Sequence, residues 1–286
     1  MTSADPPILI PTAAQALEAW AARVRANREQ VDRVREVPDA ADFYAPVAAM
    51  FRDDPRRQGE PALELLRSLV QPGETWLDIG AGAGRYALPL ALIAGQVIAL
   101  DPSEGMLANL RQAMAEHSIA NVRIVQARWP VPDPPRADVA FISHVGYDVE
   151  QIGSFLDGME AAARRRCVAI MFDRRPTFHF DALWPLVHGE PRATLPALRE
   201  FLALQLARGR LAEVRLLERP VQTYDSVDAA VDFARRQTWA KPGSEKDQRL
   251  REAVASRLLE RDGRYAFSWD PSWVGIVTWS SDSPSG

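Results

Sequence analysis

The sequence predicts an α/β fold: a doubly wound, mostly parallel sheet with N-terminal helices and a late helical insertion. Three observations carry that expectation. The apolar run Thr75-Trp76-Leu77-Asp78-Ile79 enters the glycine-rich turn Gly80-Ala81-Gly82-Ala83-Gly84, and a helical pattern follows. A second apolar run, Val97-Ile98-Ala99-Leu100, ends in Asp101, about twenty residues after the first glycine, where an acid can accept hydrogen bonds from a ribose diol. From there to residue 172 apolar runs alternate with amphipathic stretches, as a parallel sheet with right-handed crossovers requires.

In chain order, residues 1–12 read as an irregular lead-in containing Pro6, Pro7 and Pro11. Residues 13–36 form an amphipathic helix, with Leu17, Trp20, Val24, Val31 and Val34 on one stripe at three- and four-residue spacings. Asn27 fills the remaining slot, either as a hydrogen-bonded packing residue or as a substrate contact from a helix that roofs the site. Pro38 ends this helix, and residues 42–52 open a second amphipathic segment containing Tyr44 and Arg52. Strands are expected at 75–79, 96–100, 122–126, 137–143 and 166–171. Helices are expected near 60–70, 84–94, 103–116 and 149–164, the second interrupted by Pro89, which removes a donor. After residue 172 helices are expected near 194–209, 226–239 and 245–260, with strands near 212–218 and 273–279. The organisation is therefore an N-terminal helical lid or roof (1–58), the α/β domain (59–280) with a helical insertion at about 222–265, and a polar tail (281–286) that reads as disordered.

A net charge of −4 argues against a polyanion binder. The single Cys167 lies in an apolar run, which rules out a disulfide within the chain. No signal peptide and no span of about 18 apolar residues is visible, so a cytoplasmic protein is expected. His179, Asp181 and His188 lack the spacing of the common zinc motifs, and no metal site is expected.

Glycine brings bare backbone N–H groups against a ligand because it has no Cβ. The dinucleotide fingerprint needs a glycine at the sixth position of the turn, but Arg85 stands there. Asp78 is equally informative, since a carboxylate at the approach to the turn repels a pyrophosphate and suits a cationic ligand. The segment from Asp78 to Gly84 resembles the Asp-x-Gly-x-Gly-x-Gly signature of class I S-adenosylmethionine-dependent methyltransferases, and Asp101-Pro102-Ser103-Glu104-Gly105-Met106 resembles their ribose-binding strand end. The resemblance covers roughly residues 60–172 and implies a Rossmann-like fold with S-adenosyl-L-methionine as cofactor and S-adenosyl-L-homocysteine as product. It implies that Asp78, Gly80, Ala81, Gly82 and Gly84 line the amino-acid part of the cofactor. Asp101 would hold the ribose, with Pro102, Ser103 and Met106 flanking the adenine, although a helical methionine is as readily core. No acid follows the third strand to bind the adenine amino group, which leaves Gln126 or backbone groups, with Arg128 or Trp129 covering the ring.

The fourth strand ends in Ser143-His144-Val145-Gly146-Tyr147-Asp148. Ser143 is expected beside the cofactor, with His144 and Tyr147 as catalytic candidates. His144 has the titration range of a general base, or it packs beside the cofactor. Asp148 binds substrate or caps the next helix. The segment bears no likeness to the Asn/Asp-Pro-Pro-aromatic motif of amino methyltransferases acting on bases, and buried Cys167 supplies no nucleophile for pyrimidine C5 methylation. Beyond the fifth strand, the aromatics around Trp184 form an acceptor pocket or seal the sheet edge. Arg235 to Lys246 is locally basic, but Asp225, Asp228, Asp232, Glu245 and Asp247 surround it. The reading is methyl transfer to a small or medium-sized acceptor, with Asn27, Tyr44 and Trp184 as substrate candidates, by a monomer or homodimer with no nucleic-acid or membrane partner. An RNA or protein methyltransferase, or a non-catalytic protein that binds the cofactor, are the alternatives.

Overall fold

The computed structural model describes residues 11–38, 51–174 and 180–281. The chain begins with α1 (Ala13–Val34), where Thr12 and Gln15 form a reciprocal capping box. Then come α2 (Pro61–Leu69), β1 (Thr75–Ile79), α3 (Ala87–Ala91), β2 (Gln96–Asp101), α4 (Glu104–His117), β3 (Val122–Gln126), β4 (Ala137–Ser143), α5 (Ile152–Ala162) and β5 (Ala163–Phe172). The remainder is α6 (Trp184–His188), α7 (Leu198–Ala207), β6 (Ala212–Arg219), α8 (Val227–Thr238), α9 (Glu245–Arg257), β7 (Leu259–Arg261), β8 (Arg264–Ala266) and β9 (Ser272–Ser280). The expected mixed α/β class is borne out. Among the described residues a seven-stranded sheet runs in the order β3-β2-β1-β4-β5-β9-β6. The first five of these strands pair in parallel, and β9 pairs antiparallel to both β5 and β6.

Both faces of the sheet are covered. Alternation along β1 sends Leu77 and Ile79 into one core with Trp20, Val24, Phe155 and Phe201, and Trp76 into the other with Leu63, Leu66, Leu107 and Leu110. The helical excursion has its own small core, with Phe180, Leu183, Val187, Val231, Leu250 and Val254 among its members. Strand order reverses between β2 and β4, which flank β1, and a crevice forms at the carboxyl ends of strands on either side of such a switch point.

Three elements differ from expectation, each for a local reason. Helix α3 is limited to Ala87–Ala91 because Pro89 has no N–H to give the carbonyl of Arg85. That carbonyl accepts instead from the Arg57 guanidinium at 3.0 Å. Helix α6 is a single turn stopped by left-handed Gly189, too short to show a period. A hairpin, β7–β8, closes the insertion where helix and loop were expected. Its turn is Asp262-Gly263, both with positive φ, the residue pair that a tight hairpin favours.

Gly84 has φ +87°, and a Cβ on it would lie 2.5 Å from Leu110 Cδ1 and 3.0 Å from Leu88 Cγ. The positive φ costs a non-glycine residue about 1–2 kcal/mol, and overpacking adds about 1–3. Gly84→Ala is therefore expected to lower unfolding free energy by about 2–5 kcal/mol, read as a drop in urea midpoint at unchanged slope.

Candidate functional site

The turn after β1 is built around β2. Gly80 and Ala81 donate N–H bonds to the Leu100 carbonyl at 2.7 and 3.1 Å. Gly82 N–H donates to Asp101 Oδ2 at 2.9 Å, and Ser103 N–H to Asp101 Oδ1 at 2.8 Å. These two bonds hold the Asp101 carboxylate in place at the end of β2, against the turn. Gly80 has φ +77°, and a Cβ there would lie 2.5 Å from Val145 Cγ2. That close approach joins the turn to the loop after β4. Met106 packs with Ala83, its sulfur 3.8 Å from where a Gly82 Cβ would be. Ser103 Oγ accepts the Met106 N–H at 3.1 Å as the cap of α4.

Asp78 is 2% exposed. Burial, then the nearby charge of Asp101, pushes its carboxyl up to about 8. No hydrogen bond to its side chain is present among the described residues. Ser143 Oγ, at the end of β4, is likewise buried without a partner. A buried carboxyl without a donor and an orphaned hydroxyl are unsatisfied groups of the kind that folded proteins rarely leave. They fit a cationic, hydrogen-bonding ligand, and the methionine part of S-adenosylmethionine carries an ammonium and a sulfonium.

Beyond Ser143 the chain turns at His144, φ +56°, whose N–H donates to the Ile170 carbonyl at 2.9 Å. Its ring stacks on Phe172, with centroids 3.9 Å apart and planes at 13°. Tyr147 Oη accepts the Phe172 N–H at 2.8 Å and lies 3.3 Å from His144 Nδ1. Burial pushes the Tyr147 phenol above its ordinary range, so it keeps its proton. Among the described residues Nδ1 is the acceptor within reach of that proton, which assigns the imidazole hydrogen to Nε2. Burial, followed by the charges of Arg219 and Arg85, pushes the His144 imidazole down to about 3. His144 therefore offers an N–H donor at neutral pH.

A cluster that the sequence did not single out borders this loop. Glu60 accepts from Arg57 (2.7 Å), Arg85 (3.0 Å) and Tyr86 Oη (2.8 Å). Arg85 also pairs with Asp53 at 2.7 Å. Burial opposes ionisation of Glu60, but the Arg57 and Tyr86 hydrogen bonds and the charge of Arg85 hold its carboxyl below the usual range. Arg219 ends β6 with its guanidinium 4.6 Å from the Phe172 centroid. The available signal was position: Phe172 and Arg219 are the last residues of strands running toward the same sheet edge.

The other sequence candidates sit as follows. Pro102 and Arg128 are exposed. Trp129 is 8% exposed, and its indole N–H donates to the Phe155 carbonyl at 3.0 Å, which commits it to the α5 side of the core. Asn27 Nδ2 donates to the Ala193 carbonyl at 2.7 Å. Beside it, Gln30 clasps the Pro191 carbonyl and the Ala193 N–H, both at 2.7 Å. Trp184 is fully buried, 4.3 Å from the His188 ring and 4.5 Å from the Arg192 guanidinium. Its partners belong to the helical excursion rather than to the strand ends. Tyr44 and His179 lie outside the described residues. Asp148 is exposed, and Gln151 is the residue at the start of α5, because a turn from Gly146 to Val149 delays the helix. Arg52 pairs with Glu116. In the basic segment, Arg235 pairs with Asp232 and Asp247, Arg236 lies over Phe233, and Lys246 bonds the Val34 carbonyl.

A family model described as a methyltransferase domain matches residues 77–165. An uncharacterized protein of Haemophilus influenzae is 34% identical over 106 residues, 36% of this chain and 39% of that protein. Ribosomal RNA small subunit methyltransferase G of Neisseria gonorrhoeae is 36% identical over 72 residues, 24% of this chain and 35% of that protein. The chain thus spans well under half the length of these curated relatives. In structure it is similar to the YcgJ protein of Bacillus subtilis, with TM-score 0.54 and 16% identity over 77% of this chain and 97% of that one. A putative methyltransferase of Bacillus halodurans C-125 gives TM-score 0.54 and 15% identity, with the same coverage. These two likenesses concern the fold. Residues 77–165 thus match a methyltransferase domain, and the turn from Asp78 to Gly84 lies within the matched span.

Proposed function

We propose that the protein transfers a methyl group from S-adenosylmethionine to a small-molecule acceptor held at the carboxyl ends of β4 and β5. The observation that carries this reading is Asp78, buried beside the Gly80–Gly84 turn without a hydrogen bond from the described residues and raised to about 8. It is a site short of one cation. The cofactor supplies an electrophilic methyl group on a sulfonium, which leaves as a neutral thioether.

This chain's residues bind and align. Asp78 would compensate the cationic methionine part, the glycine turn would admit it closely, and Asp101 would take the ribose hydroxyls. Met106 offers an apolar side to the base, and Ser143 Oγ a hydroxyl to the methionine end. Alignment is the main catalytic resource for such a displacement. His144 faces the acceptor as a hydrogen-bond donor through Nε2–H, with Tyr147 fixing its tautomer. Support for a donor rather than a base comes from the Phe172–Tyr147–His144 chain and the depressed imidazole. An RNA acceptor is the second reading, favoured by the ribosomal RNA methyltransferase relative. Against it stand the net charge of −4 and the internal pairing of Arg235 and Lys246.

Calorimetric titration with S-adenosylmethionine and S-adenosylhomocysteine tests the proposal. Both are expected to bind. Asp101→Ala is expected to weaken both by about 3 kcal/mol, roughly a hundredfold, for two lost charge-assisted hydrogen bonds. Absence of binding by the unmodified protein, or equal binding by the variant, sinks it.

A further inference from the structure

Arg219 is half-buried at the end of β6. Strand β9 is antiparallel to both β5 and β6, so β6 runs parallel to β5 and Arg219 reaches the edge where Phe172 and Ser143 end their strands. Its guanidinium stands 4.6 Å from the centroid of the Phe172 ring that stacks on His144.

Charges around this edge do not balance. Arg57 and Arg85 are matched by Glu60 and Asp53 through contacts of 2.7–3.3 Å. The oxygens of Glu60 are taken by Arg57, Arg85 and Tyr86. Arg219 has no carboxylate within ion-pair distance and no hydrogen-bond acceptor among the described residues. Its neighbour Glu218 is exposed and alternates to the opposite face of the strand. Five donors in a planar fork, partly desolvated over an aromatic ring, match a carboxylate in shape and charge. The His144 ring and the Arg219 guanidinium both lie over this ring, which leaves its edge for whatever carries that carboxylate.

We propose that Arg219 binds a carboxylate of the methyl acceptor, with His144 Nε2–H as a second donor, so that the acceptor is a small carboxylic acid held at the edge of the Phe172 ring. The proposal rests on the methyltransferase reading and narrows its acceptor class. A carboxylate carries the single negative charge that one uncompensated guanidinium calls for. An anion placed there also relieves the field that disfavours the His144 imidazolium.

The test uses the full chain saturated with S-adenosylhomocysteine and titrated with benzoate, benzamide and phenyl phosphate, in the unmodified protein, Arg219→Gln and Arg219→Lys. The expected result is saturable benzoate binding with benzamide at least tenfold weaker. Arg219→Gln is expected to lose roughly tenfold or more in benzoate affinity, the worth of a charge-assisted hydrogen bond, and Arg219→Lys to recover part of it. The imidazole signals of His144 should shift with benzoate only where position 219 is cationic. Affinity for S-adenosylhomocysteine should be the same in all three proteins, which also shows that the variants fold. Equal binding of benzoate and benzamide, no benzoate binding, full benzoate affinity in Arg219→Gln, or a preference for phenyl phosphate overturns the proposal. If S-adenosylhomocysteine does not bind at all, the methyltransferase reading fails separately, and the contrast between benzoate and benzamide in the unloaded protein still reports on Arg219.

Discussion

Asp78→Asn is expected to stabilise the ligand-free protein at alkaline pH while removing most of its affinity for S-adenosylmethionine. In the folded protein the carboxyl is raised from 3.8 to about 8, whereas in the unfolded chain it titrates near its ordinary value. Between those limits the native state binds more protons than the unfolded state, so stability falls as pH rises. The loss is present in full above pH 8 and amounts to at most about 6 kcal/mol. Asparagine never ionises and escapes it. Below pH 8, binding a cation beside Asp78 must release a proton, so affinity for the cofactor should climb with pH toward a plateau, up to about tenfold per unit. The variant should show neither the climb nor the proton release. Urea unfolding at pH 6 and pH 8.5, together with calorimetry in buffers of different ionisation enthalpy, measures both. Matching pH slopes for the two proteins would refute the assignment.

Glu160→Ala is expected to cost about 3–5 kcal/mol of stability, because it removes the buried carboxylate that two arginines share. Glu160 is 7% exposed on α5. Its Oε1 accepts from Arg208 at 3.0 Å, Arg210 at 3.2 Å and Trp279 Nε1 at 3.1 Å. Its Oε2 accepts from Arg208 at 3.3 Å and Arg210 at 2.7 Å. One carboxylate thus joins α5, the chain between α7 and β6, and the last strand. Both guanidiniums are largely buried, and Arg208 also pairs with exposed Asp157 at 2.7 Å. Glu160→Gln keeps an acceptor but not the charge, and should lose about half as much. A shift in urea midpoint at constant slope reads the effect. A change under about 1 kcal/mol for the alanine variant would mean that the arginines find other partners.

The parts of this molecule that were legible in its sequence are those where backbone chemistry leaves few choices. Strands β1, β2 and β4 are short apolar runs buried on both faces, β3 lies at the sheet edge, and the ends of all four fall within a residue of the expected ones. Asp78, the glycine turn and Asp101 were legible because a strand, a turn with positive φ and an anchored acid form one local unit. Arg219 and Phe172 were not. Each is an ordinary strand-end residue until the sheet order brings the ends of β4, β5 and β6 to one edge, a long-range fact that no local pattern encodes. Trp129 and Asn27 were found as residues of note, but a sequence does not say which way a side chain turns. The Phe155 carbonyl claims the first and the Ala193 carbonyl the second.

The position of β9 bears on how the chain is made. The strand that lies between β5 and β6 is the last in sequence. During synthesis, β5 waits with its outer edge unpaired until residues 272–280 have left the ribosome, about a hundred residues later, and until then β6 has no partner at all. A nascent chain stalled or cleaved before residue 272 presents two open strand edges to the cell, whereas the finished chain closes both with one insertion. Loss of residues 272–280 would leave those edges open permanently.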